Sequence, residues 1–327
     1  MKQEKYEAAV PLYTRLAVEK EASPALKEHA LAQQAACYYH LKQYANMRKA
    51  YETILADFPQ AQSAAEALYW LAWHDAAERR FAKAAALYQD LLERFSDHPL
   101  AHKARYRRAA CLYQDGRSDE AAAALLEIIQ RYPEIAVDER EMLWLGQYLR
   151  QQKRFAEADG VYESLLAKQP EQKVRVLALY QQAESRREQG KWQEALHKYQ
   201  RLLAEKDSGI ENMARYGAVI CLREIGDLVA ARALLKEIDV AIDDPLALRC
   251  LFEHGLLDMA EKNYTSAAAS LMRVGLLPSE DRDLTAIALL RAGEACVAAG
   301  DRRKAEVCFA ELAGAGPESF GKRYPDH

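Results

Sequence analysis

The sequence has little that would break a helix. It holds 14 Gly and 10 Pro in 327 residues, against 50% hydrophobic and 29% charged, which excludes collagen-like and low-complexity chains. It has no excess of basic charge either. The 45 Lys and Arg are outnumbered by 49 Asp and Glu, for a net charge of −4, so neither nucleic acid nor anionic lipid is broadly attracted to it. Long apolar runs are missing. Stretches such as Ala121 to Leu126 are broken by charge well before the ~18 residues that a membrane span needs. Met1 to Tyr6 lead straight into an amphipathic segment with no apolar core behind them, so no secretory signal is read and a soluble chain is expected. Six cysteines, at 37, 111, 221, 250, 296 and 308, form no C-x-x-C and no recurrent spacing to histidine, and read as reduced core thiols.

What is present is a repeat. A chain of this length exceeds one compact core and must be several domains or a stacked array. An anchor residue recurs at Tyr6, Tyr44, Phe81, Ser118, Phe155, Trp192, Leu228, Tyr264 and Arg302, spaced by 36 to 38 residues. Three residues after each comes alanine, or once Met47; seven after comes a large residue, as in Tyr51, Tyr88 and Tyr199; ten after comes an aliphatic one. These offsets put all three columns on one helical face. Upstream of each anchor lies another amphipathic segment with a small midpoint: Ala35, Ala72, Ala109, Gly146, Ala183, Val219, Gly255 and Gly293. Small residues there permit close approach of paired helices. Turn formers such as Asp115-Gly116 and Gln189-Gly190 sit between the two helices of several pairs, and a proline, for example Pro59 or Pro133, follows most second helices.

In the small midpoint, the alanine column, the aromatic column and the trailing proline, the chain resembles the tetratricopeptide repeat family. The period near 37 exceeds the family's usual ~34, and the family's tryptophan is missing from the first helix. Linkers such as Phe58-Pro-Gln-Ala-Gln-Ser and Arg131-Tyr-Pro-Glu are similar to those of bacterial envelope proteins, the TolA-binding and outer-membrane-assembly lipoproteins among them. The resemblance implies an all-α fold, a right-handed α-α superhelix of antiparallel helix pairs. One solenoid is expected over 1–327, with an unpaired helix at 5–20, eight helix pairs over 28–317 and a tail at 318–327. Pro11 falls inside the first helix and is expected to kink or shorten it.

The repeat absorbs most other signals. Cys37, Cys111 and Cys221 share one position with His74, Tyr148, Ser185, Leu257 and Ala295, which marks packing rather than redox chemistry. His98 and His102 have the i, i+4 spacing of a metal pair, as do Cys250 and His254, yet neither has a third ligand nearby, so no metal site is read. The glycine-rich tail from Ala313 lacks the ending of a phosphate loop and reads as a helix stop. With the repeat spanning 5–317, no catalytic domain and no cofactor are expected.

In the family that this chain resembles, the first helices line a concave groove. Three faces of those helices can be read out relative to the small midpoint. They supply Tyr69, Trp73, Tyr106, Tyr113, Tyr180, Tyr216 and Phe252, with Arg150, Arg187 and Arg223 in consecutive units. Aromatics give contact area at low entropic cost and arginine grips carboxylates, so the expected role is a protein-interaction scaffold that holds an acidic and apolar peptide. The competing reading packs the tyrosines between repeats and pairs the arginines with Glu184, Glu188 and Glu224. Replacing the three arginines together by alanine is expected to weaken partner capture without unfolding the array. The Lys and Asn pattern by which some family members clamp carboxylates is absent. Two other classes stay open: single-stranded RNA binding, which the acidic total disfavours, and end-to-end self-association through residues 5–20. The chain starts at the turn of a repeat, and the expectation is that the natural protein continues upstream or that the start is an artificial boundary. Bacterial cytoplasm and cell envelope are therefore both admitted.

Overall fold

The computed structural model describes residues 2–205, 209–241, 243–277 and 281–314. All seventeen regular elements among the described residues are α-helices, giving an all-α solenoid of antiparallel helix pairs. The chain falls into two compact units, Met1–Gln152 and Lys153–His327. The first holds α1 (Lys2–Val18), α2 (Pro24–His40), α3 (Tyr44–Asp57), α4 (Gln62–Ala77), α5 (Phe81–Arg94), α6 (Ala101–Gln114), α7 (Ser118–Arg131) and α8 (Glu139–Gln151). The second holds α9 (Phe155–Ala167), α10 (Gln172–Glu188), α11 (Trp192–Leu203), α12 (Glu211–Ile225), α13 (Leu228–Lys236), α14 (Pro245–Ala260), α15 (Tyr264–Leu276), α16 (Arg282–Ala298) and α17 (Arg302–Gly314). The tail expected at 318–327, with Pro278 and Pro317, lies outside the described residues.

Each anchor from Tyr44 to Arg302 is the first residue of a second helix. The turn that sets this register sits two residues earlier. Gly116, Gly190, Gly226 and Gly300 have φ between 70 and 93°, and the same left-handed position is taken by Lys42, Arg79, Lys153 and Lys262, with φ between 58 and 65°. A bond from the next residue back to the last turn of the first helix closes it, as in Gln43 N–H to the Tyr38 carbonyl (2.9 Å) and Arg80 N–H to the Asp75 carbonyl (2.8 Å). That 6→1 bond satisfies a carbonyl the helix end would otherwise leave open. Glycine adopts the left-handed turn freely, whereas a side chain there meets its own carbonyl, so four of the eight turns carry a strain that the sequence does not announce.

The columns form the core. Met47, Ala84, Ala121, Ala158, Ala195, Ala231 and Ala267 are fully buried, as are Tyr88, Tyr162, Tyr199 and Leu271 behind them. The small midpoints are needed because the large column packs on them. A Cβ at Gly255 would stand 2.5 Å from Leu271 Cγ, closer than carbon atoms can approach. Of the six free cysteines all but Cys250 are buried. Burial pushes their thiols up, Cys111, Cys250 and Cys308 to about 11 and Cys221 to about 12, which keeps them protonated and unreactive at neutral pH.

The first helix differs from its expected outline. It spans Lys2–Val18 rather than 5–20, and Pro11 is accommodated inside it. It packs along α2, with Tyr6 stacked on His40 at 4.5 Å and Gln34 donating to the Thr14 hydroxyl at 2.6 Å. Ala9, Tyr13 and Leu16 are half-buried, so the face expected at an open end is partly covered.

Candidate functional site

The residues singled out from the sequence divide between the two units. In the first, Tyr69, Trp73 and Ala76 follow one another at helical spacing along α4, and Tyr106, Ala110 and Tyr113 do so along α6. Trp73 is half-buried and edge-on to Tyr39 (5.5 Å), Tyr44 (5.8 Å) and Trp70 (5.8 Å), which fixes its indole. Tyr69 is buried against Tyr88 of α5, with ring centroids 5.6 Å apart. Tyr113 is exposed, edge-on to Trp144 of α8 at 4.7 Å. Tyr106 hydrogen-bonds the Glu141 carboxylate; burial first, and that carboxylate second, push its hydroxyl up to about 12. Arg150, at the end of α8, is half-buried.

Between α4, α5 and α6 this unit has a cavity of about 310 Å³, lined by Trp73, Ala76, Ala77, Phe81, Tyr88, Arg107, Ala110, Cys111 and Gln114. It exists because alanines stand at Ala76, Ala77 and Ala110, where larger side chains would fill it. Trp73 is the sequence-selected residue in its wall. A larger cavity, about 830 Å³, lies at the α5–α6 linker around Trp70, Arg94 and His98. It is built from an irregular segment rather than from helix faces.

The second unit is arranged otherwise. Arg187 pairs with Glu184 at 2.6 Å, and Tyr199 donates its hydroxyl to the same carboxylate. Arg223 pairs with Glu224 at 2.7 Å and, across to α14, with Glu253 at 2.8 Å. Glu253 is 3% exposed; burial raises its carboxyl above the ordinary range while Arg223 opposes the shift. Both arginines are thus held by carboxylates of the chain. Tyr180 lies near Tyr199 at 6.2 Å, Tyr216 is half-buried with its hydroxyl pushed up chiefly by burial, and Phe252 is buried in the α14–α17 core.

Three residues that matter to these arrangements were not singled out from the sequence. Tyr88 was read as core, and Arg107 and Glu253 stand two residues before the midpoint, a position outside the faces considered. The histidine pair resolves into local contacts: His98 Nδ1 accepts from the Leu100 N–H at 3.2 Å, and His102 lies 3.1 Å from Glu134. Among the described residues no group of three metal-ligating side chains is found, and no helix is long and apolar enough to cross a membrane.

Helix pairs with a small-on-large interlock and a left-handed inner turn define a helical-repeat protein. Two family profiles, each described as tetratricopeptide repeat, match the sequence, one over residues 71–134 and 180–247 and the other over 29–61 and 142–171. Together they cover more than half of the chain, which belongs to the tetratricopeptide repeat family. Such repeats are, in general, non-catalytic scaffolds for protein interaction. No curated protein matches the chain. Among solved structures, a tetratricopeptide repeat protein from Parabacteroides merdae is 12% identical, with 81% of this chain and 98% of that one covered and a TM-score of 0.40. The Cut9–Hcn1 hetero-tetramer of the APC/C is 14% identical over 96% and 72%, at 0.47. A Podosopora anserina putative kinesin light chain with TPR-like repeats is 17% identical over 55% and 96%, at 0.45.

Proposed function

We propose that the chain is a peptide-binding scaffold and that its first unit supplies the receptive groove. The observation that carries this reading is the cavity of about 310 Å³ beside Trp73, flanked on α6 by the exposed ring of Tyr113. A fixed indole next to a gap left by alanines is a socket for a partner side chain, and rigid aromatics are the usual anchors of such contacts. The second unit has the weaker claim. Its arginines already hold Glu184, Glu224 and Glu253, so little of their charge is left for an acidic partner. The same engagement disfavours phosphate contacts and hence single-stranded RNA.

The test is affinity capture from lysate of the source organism with wild type, with Trp73→Leu combined with Tyr113→Ala, and with Val229→Ala as control, Val229 being 83% exposed on α13. Helicity of each variant is checked first. A partner lost only in the groove variant supports the reading, and identical capture by all three overturns it.

A further inference from the structure

Successive first helices meet through a recurring pair of positions: the fourth residue after the small midpoint of one and the second residue before the midpoint of the next. From α2 to α4 the pair is Tyr39 and Trp70, with ring centroids 4.6 Å apart; from α6 to α8 it is Tyr113 and Trp144, at 4.7 Å. From α12 to α14 it is Arg223 and Glu253, at 2.8 Å. Ring meets ring, or cation meets carboxylate. From α4 to α6 the same positions hold Ala76 and Arg107. Both line the cavity of about 310 Å³, which is the space that a long side chain at position 76 would fill.

That space can be reached from outside. Ala77, Arg107 and Gln114 in its wall are exposed, and Trp73, Ala76, Phe81 and Ala110 are half-buried. Its surfaces suit a ring. Trp73 and Phe81 supply aromatic faces, and Trp73 is already held by Tyr39, Tyr44 and Trp70. Rings in contact gain free energy beyond the area they bury. Burial raises the Glu141 carboxyl and Arg107 opposes the shift, so the charge of Arg107 is partly answered within the chain. What Arg107 has to offer an occupant is the flat face of its guanidinium. The same unit uses that face twice, with Arg105 over Tyr132 at 4.3 Å and Arg94 over Phe95 at 5.3 Å.

We infer that the α4–α6 cavity receives an aromatic side chain of a bound peptide, which takes the place that Tyr39 and Tyr113 take in the flanking repeats. The inference rests on the peptide-groove reading and adds the kind of side chain that its central subsite selects. The ring lies against Trp73 and Phe81, with the guanidinium of Arg107 over its outer face. An aliphatic side chain would fill part of the volume and forgo the ring and cation contacts. The site is available only because the repeat has alanine where its two neighbours have tyrosine.

The experiment selects random peptides on the intact chain, then measures the tightest binder, and versions with each aromatic residue changed to leucine, on wild type and three variants. Ala76→Tyr gives the chain its own ring at the empty position, Ala110→Ile adds the side chain that α12 carries at the matching place as Ile220, and Trp73→Leu removes a wall. Helicity is checked first, and if Ala76→Tyr does not fold, Ala110→Ile makes the same comparison. An aromatic position is expected in the selected peptides, and its leucine version should bind wild type about tenfold more weakly. Ala76→Tyr should weaken the parent peptide by a similar factor and leave little difference between parent and leucine version, as two occupants of one space require. Peptides without an aromatic position, a leucine version that binds wild type as well as its parent, or a leucine penalty undiminished in both filled variants overturn the inference; if binding is still lost in Trp73→Leu, the groove reading survives. Failure to select any peptide, or binding indifferent to all three variants, overturns both.

Discussion

Tyr88 and Tyr199 occupy the same place in two repeats and are both fully buried, yet removing their hydroxyls should have opposite effects. In Tyr199→Phe the chain loses a hydrogen bond to an ionised acceptor, worth about 1.5–3 kcal/mol. Glu184 keeps Arg187 at 2.6 Å, which places the cost near the lower end, about 1.5–2 kcal/mol. In Tyr88→Phe no bond is lost, since the hydroxyl has none, and the ring contact with Tyr69 at 5.6 Å is kept. Relief of an unsatisfied buried hydroxyl is worth about 1 kcal/mol or more in favour of the variant. The two changes should thus differ by about 3 kcal/mol with opposite signs. Because stacked repeats unfold in parts, the measurement is native-state hydrogen exchange, read separately in α5 and α11. Destabilisation of α5 by Tyr88→Phe equal to that of α11 by Tyr199→Phe would mean that the Tyr88 hydroxyl has a partner, and the reasoning from the repeat comparison would fail.

Arg223→Ala should cost about 3 kcal/mol by leaving Glu253, 3% exposed, without its cation, as read by urea denaturation of the second unit. The arginine triple variant is therefore expected to be no clean test of binding, because it would also remove the cation that holds Glu253. Ala158→Leu, at a fully buried column position of α9, should cost about 1–3 kcal/mol by overpacking; a neutral result would show the column register to be wrong. Burial, with Arg232 and Lys236 adding to it against Asp258, holds the His254 pKa below its ordinary value of 6.5. On acidification the unfolded chain takes up that proton first, so this contribution to stability is complete above pH 6.5 and is lost as pH falls towards the folded-state value. A shallower pH dependence of the urea midpoint over that window is expected for His254→Gln, and an unchanged slope would refute the assignment.

The repeat register was legible because it is written locally. An aromatic or other anchor, an alanine three residues on and a large side chain seven residues on fix a helix start and its buried face, and the second helices α3, α5, α7, α9, α11, α13, α15 and α17 begin at those anchors. Half of the inner turns were legible through glycine. Lys42, Arg79, Lys153 and Lys262 hide the same left-handed conformation behind residues with no turn preference. At the candidate site the aromatic face of α4 and α6 followed from helical spacing, whereas the state of each charge did not. Glu184 and Glu224 were foreseen as partners of Arg187 and Arg223, being near in sequence, but Glu253 reaches Arg223 from the next pair. Tyr88 and Arg107 were missed for a related reason. A column tyrosine reads as core whether or not its hydroxyl is satisfied, and only the contrast with Tyr199 reveals the missing acceptor.

The claim that the α4–α6 groove receives the partner is tested most directly by site-specific photo-crosslinking. A photoreactive residue is placed at Gln114, in the cavity wall, or at Ala123, exposed on α7 and absent from that wall. Each protein is irradiated with captured partner, and the adducts are identified by mass spectrometry. The account predicts partner adducts from position 114 and few or none from position 123. Adducts from 123 with none from 114 would place the interaction on another surface and contradict it.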